Sequence, residues 1–214
     1  MTTTVWSDLT WQQHLPIYHE TQNAPFIQEL ISGTLDSARF TFYIEQDALY
    51  LQSFTKLLKT MAHHIEEPLF KSYFHNFVHE NMEQEKALHD FYLQKPLTDI
   101  TPTKTCQAFI NYNAELETLP IPLALAGMLP CFLVYQQLGL YIFEQHTRQG
   151  NPYLEWIDTY AGIEHSESVA KLSEMCDQYA ADADLPTVSA MHQWYEKGCL
   201  FDQRFWNSCY KMRS

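Results

Sequence analysis

Three residues of this chain combine chemical reactivity with an apolar setting: Cys131, Asp47 and Asp202. Asp47 belongs to the series Tyr43, Asp47, Tyr50, Phe54, Leu57, Met61, whose steps of three and four stack on one helix face. A carboxylate in such a stripe is unfavourable unless hydrogen-bonded, so it calls for either a structural partner or a ligand that brings donors. Cys131 shares a face with Ala124, Met128, Tyr135, Leu138 and Ile142. Free cysteine commonly serves as a small core residue, but Pro130 beside it deletes a backbone donor and loosens the helix, opening space next to the thiol. Asp202 lies in a stripe with Tyr195, Cys199, Phe205 or Trp206, and Cys209, and left unpaired there it would hold its proton, because desolvation disfavours the charged form. Tyr160, in WIDTYAG, adds a phenol that suits either helix packing or a pocket wall. Together, a thiol, two acids and several phenols among aromatics suit a closed pocket for a flat, hydrogen-bonding heteroaromatic with the thiol placed for attack. A thiol without a neighbouring histidine can act where phenols, helix dipoles or a cationic substrate stabilise the thiolate.

The elements that must position these residues are helices. Apolar residues recur every three or four positions, the six glycines are few for 214 residues, and the ten prolines gather between the periodic stretches. Helices are expected at about 5–14, 24–31, 37–63, 67–93, 103–117, 122–146, 152–181 and 187–211, with ends uncertain by roughly two to four residues. Asp36 or Ser37 can cap the third, Thr187 follows Pro186 near the start of the last, and Gly150-Asn151-Pro152 marks a turn and restart. No strand alternation or internal repeat is present, so the chain reads as all-α, one helical-bundle domain over 1–214.

Composition narrows the partners. Apolar residues make up 46% and aromatics 14%, enough for a sizeable core. With 13 basic and 26 acidic side chains the formal charge is −13, and the Lys and Arg residues form no block that could follow a phosphate backbone. Nucleic acid and anionic membranes are therefore not expected partners. The most apolar stretch, 121–135, is short for a bilayer span and contains Pro122 and Pro130. The N-terminus MTTTVWSDLTWQQHLP lacks the basic-then-apolar order of a secretory signal, so a reducing cytoplasm is expected. The five cysteines include no CxxC, and any that matters should matter alone.

The same residues carry a family resemblance. RFTFYIEQDALYLQSF, MLPCFLVYQQLG, NPYLEWIDTYAG and FDQRFW resemble, in order, four motifs of the TenA/thiaminase II proteins of the haem-oxygenase-like fold, from about residue 40 to residue 206. The resemblance implies a helical bundle, a cytoplasmic homotetramer, and a substrate drawn from the pyrimidine half of thiamin. The implied reaction converts 4-amino-5-aminomethyl-2-methylpyrimidine to the 5-hydroxymethyl compound and ammonia, with cleavage of thiamin itself as a second activity of many members. No metal or other cofactor is implied. By match, Cys131 is the nucleophile, Asp47 holds the aminopyrimidine edge, Tyr50, Tyr135 and Tyr160 line and tune the pocket, and Phe205 stacks on or walls the ring. Asp202 stands where the family has a glutamate acid/base, one methylene longer. Gln107 aligns with a family tyrosine; a shift of one would put Cys106 there.

Other readings compete. His75, His79, Glu80, Glu85 and His89 share one helix, but the step from 79 to 85 leaves the face, so a solvated charged helix is the simpler reading than a dimetal site. A non-catalytic aminopyrimidine or thiamin binder would keep the pocket while Asp202 and Gln107 weaken the chemistry, yet would have little need of Cys131. A hydrolase of a different amino-heteroaromatic is a third reading, because pocket shape sets specificity.

Overall fold

Prolines and side-chain caps divide the chain into helices. The structure is a computed structural model; it describes residues 5–93, 96–160 and 163–212, and their side chains except for 84–90 and 163–165. In chain order the helices are α1 Trp6–Gln22, α2 Pro25–Ser32, α3 Ser37–His64, α4 Pro68–Tyr92, α5 Lys104–Leu116, α6 Ile121–Gln145, α7 Leu154–Tyr160, α8 Ile163–Asp182 and α9 Leu185–Lys211, with a 3-10 turn at Leu97–Asp99. No strand occurs among the described residues, as the periodicity implied.

The caps explain where the long helices begin. Asp36 accepts from the backbone N–H groups of Ala38 and Arg39 and starts α3. Thr103 accepts from Cys106 N–H at α5, and Asp184 from Thr187 N–H at α9, which places the last helix start just before the expected one. Each satisfies a donor that a helix start leaves free. At the Gly150 turn, where φ is +79°, Asn151 donates to Leu30 O at 2.9 Å and accepts from Tyr153 N at 3.0 Å, tying the end of α2 to the approach to α7.

Two expected helices differ. The first runs to Gln22, with Pro16 inside it; the backbone bond that a proline removes is outweighed by packing on α8 and α9 and by Tyr18, whose hydroxyl donates to Gln137 O of α6 at 3.1 Å. The single helix expected over 152–181 is two, α7 and α8. Residues 161–162, where the sequence carries a glycine unfavourable inside helices, lie outside the described residues.

Around a core rich in aromatics, α6 packs on α8 and α9, while α3 packs on α4, α5 and α9. The backbones of α3 and α6 scarcely approach one another, so their facing side chains line a space instead of closing a seam. The apolar run of α6 extends further than 121–135: the helix is long and apolar enough to cross a membrane, but 67% of its most apolar window is buried inside the bundle.

Candidate active site

Two glycines set how closely the walls of this space come together. A Cβ at Gly198 of α9 would lie 2.8 Å from Pro130 Cγ and 2.9 Å from Gly127 O. Its absence lets α9 press against the proline next to Cys131. In the turn before Cys131 the Tyr112 hydroxyl donates to Gly127 O at 3.1 Å. At Gly139, a Cβ would lie 2.6 Å from Tyr160 O, so α7 can bring Tyr160 in beside Tyr135, ring centroids 5.6 Å apart.

The resulting cavity is lined by Asp47, Tyr50, Leu51 and Phe54 of α3, Phe77, Glu80 and Asn81 of α4, Cys131, Phe132 and Tyr135 of α6, Tyr160 of α7 and Ser168 of α8. Its cavity volume is about 50 Å³. Asp47 and Tyr50 are almost wholly buried, at 3% and 2% exposure; Glu80 and Asn81 are half-buried and mark the mouth.

One contact in the cavity bears directly on reactivity. The Tyr50 hydroxyl donates to Cys131 Sγ at 3.0 Å. Burial pushes the Cys131 thiol well above its ordinary pKa, nearby Asp202 pushes it the same way, and the Tyr50 hydrogen bond pulls it back. Burial likewise raises the phenols of Tyr50, Tyr135 and Tyr160, so all three present O–H donors at neutral pH. Cys131 is partly exposed, whereas Cys106, Cys176, Cys199 and Cys209 are buried. It is the thiol a ligand can reach.

Asp202 departs from the expected convergence. It does not line the main cavity but a second, narrower void that shares Tyr50, Phe54 and Cys131 with it. It is 1% exposed, and neither carboxyl oxygen has a hydrogen-bond partner among the described residues. Burial first, and the Asp47 charge second, raise its pKa well above the carboxylate range. The carboxyl therefore favours its protonated form, in the void that adjoins the Tyr50–Cys131 pair.

Two further expectations need correction. Gln107 is exposed and donates to Asn111 at 2.9 Å; one residue is about 100° around a helix, and the inward position belongs to buried Cys106, whose thiol donates to Gln46 O at 3.4 Å. Phe205 does not line the cavity. It stands behind Tyr50 at 6.2 Å between centroids, with Phe109 wedged against both, 4.2 Å from Tyr50 and 6.1 Å from Phe205. On α4, His75 and His79 are exposed and Glu80 accepts from Ser168 Oγ; the side chains of Glu85 and His89 lie outside the described residues, among which no three metal-binding side chains gather.

The sequence reasoning missed Glu80, Asn81 and Ser168 as cavity residues, having assigned the α4 charges to a solvated face. The signal was available: Phe70, Phe74, Phe77 and Asn81 continue one stripe at steps of three and four.

A family model described as TENA/THI-4/PQQC matches residues 11–212. The chain belongs to that family. Among its relatives, an aminopyrimidine aminohydrolase of Halalkalibacterium halodurans is 26% identical, over 95% of this TENA/THI-4/PQQC chain and 94% of its own length. One of Bacillus subtilis is 25% identical, over 87% and 82%. A thiamine biosynthesis multifunctional protein ThiED of Corynebacterium efficiens is 26% identical over 92% of this chain, which spans 27% of that longer protein. Among solved structures, a TenA homologue from P. horikoshii OT3 superposes with a TM-score of 0.85 at 21% identity, covering 97% of this chain and 99% of that one. The haem oxygenase of Leptospira interrogans gives 0.67 at 12%, covering 96% and 100%. The family thus brings with it the haem-oxygenase-like fold that the bundle displays.

Proposed function

We propose that this chain is an aminopyrimidine hydrolase of thiamin salvage or degradation, releasing ammonia from 4-amino-5-aminomethyl-2-methylpyrimidine and leaving the 5-hydroxymethyl compound. The observation that carries the reading is the Tyr50–Cys131 contact at 3.0 Å inside a cavity that also holds Asp47. The names of relatives that align along nearly all of their own length support the same chemistry.

In this reading Asp47 accepts from the ring's amino group, a charge-assisted bond that orients the ring. Cys131, its thiolate stabilised by the Tyr50 hydroxyl, adds to the electron-poor pyrimidine as a ring nitrogen takes up a proton. The adduct expels the amine from the exocyclic carbon, water adds there, and the Cys131 sulfur leaves to restore the aromatic ring. Asp202 is the proton store. It is held in the adjoining void, which Tyr50 and Cys131 also line.

The seclusion of Asp202 also favours a second reading, a binder that retains the pocket with little turnover. Ammonia release from the aminomethylpyrimidine separates the two. The hydrolase reading expects release by wild type, none by Cys131→Ser, and a slower rate for Asp202→Asn. Equal inertness of all three, with the ring still bound, would establish the binder.

A further inference from the structure

We infer that Glu80 and Ser168 form the subsite for a cationic amine carried by the ligand, the group that leaves the ring. The inference rests on the proposed function and extends it to a part of the cavity that the chemistry above does not use. Glu80 of α4 and Ser168 of α8 both line the cavity, and the Ser168 hydroxyl donates to a Glu80 carboxyl oxygen. That bond consumes the only proton the pair has. What remains toward the cavity is acceptor capacity alone, the other lone pairs of the carboxylate and those of the serine oxygen. Asn81 beside them is held by Thr55, to whose Oγ1 its amide donates at 2.8 Å.

The charge balance of the cavity agrees. Among the described residues its lining holds Asp47 and Glu80 and no Lys, Arg or His. A carboxylate partly withdrawn from water with no cation among the described lining groups favours a ligand that supplies the positive charge. An ammonium offers three donors and a full charge, whereas a hydroxymethyl group offers one donor and none, so this corner discriminates substrate from product. Its place at the mouth fits that role. Glu80 is half-buried while Asp47 and Tyr50 are almost wholly enclosed, so an amine released beside Glu80 leaves by the mouth without crossing the pocket floor.

The test compares two pyrimidines on wild type, Glu80→Gln and Ser168→Ala. The KM for the aminomethyl compound is measured by ammonia release, and the Kd of the neutral hydroxymethyl compound by calorimetry. Glu80→Gln keeps the shape of the side chain and removes its charge. The expected result is a rise of about tenfold in KM for the aminomethyl compound, consistent with loss of one charge-assisted bond, while the hydroxymethyl Kd moves less than about twofold. That unchanged Kd also demonstrates a folded cavity. Ser168→Ala is expected to raise the same KM by a smaller factor and to spare the same Kd. An equal change for both compounds, or no change for either, overturns the subsite while leaving the proposed function intact. A wild type that takes neither compound overturns both.

Discussion

Asp202→Asn should make the protein more stable as pH rises, relative to wild type. The side chain is 1% exposed with both oxygens lacking partners among the described residues, and burial raises its pKa well above the carboxylate range. In the unfolded chain the same group titrates near 3.9. A carboxyl whose folded pKa is raised binds its proton more tightly in the native state. Its contribution is therefore complete below about pH 4 and declines as pH climbs toward the folded pKa, by up to about 1.4 kcal/mol per pH unit. Asparagine has no such proton, so the difference between variant and wild type isolates residue 202 from every other titrating group. For a chain of this size each kcal/mol moves Tm by about 2–4 °C. The gap in Tm should thus widen by roughly 3–5 °C per pH unit from pH 4.5 to 6.5, with the variant gaining. Thermal unfolding by circular dichroism across that range measures it. A gap that stays flat would show that Asp202 ionises as an exposed carboxylate does, and the held proton would be lost from the account.

The remaining expectations are local. Tyr50→Phe removes the donor to Cys131 Sγ; with such a bond worth about 1.5–3 kcal/mol, the pH profile for alkylation of Cys131 should move upward by about one to two units. Gly139→Ala forces a Cβ to within 2.6 Å of Tyr160 O and should destabilise the protein by about 1–3 kcal/mol, read in urea unfolding. Gln107→Ala should leave kcat/KM within about twofold of wild type, since the side chain is exposed and its partner is Asn111.

Much of this architecture was legible because helices write their faces into sequence at a fixed period. The stripes through Asp47, Cys131 and Asp202 face inward as read, and Pro130 beside the thiol packs closely on α9. Periodicity gives a face and not a depth. It put Asp202 and Phe205 on the inward side of α9 but could not tell that Asp202 lines a narrower adjoining void and that Phe205 stands behind Tyr50, outside the main cavity. Register is equally unforgiving: a one-residue choice on α5 exchanged exposed Gln107 for buried Cys106. On α4 a dense charge pattern masked the aromatic stripe that brings Glu80 and Asn81 to the cavity, and the Ser168 that meets Glu80 is 88 residues away in sequence.

The central claim is that the Cys131 sulfur and a bound pyrimidine share one enclosed space. Peptide mapping of the folded protein after timed exposure to iodoacetamide, with and without saturating 4-amino-5-hydroxymethyl-2-methylpyrimidine, tests it most directly. The account expects Cys131 to be modified first among the five cysteines and to be protected by the pyrimidine. Alkylation of Cys131 at the same rate whether or not the ring is bound would contradict it.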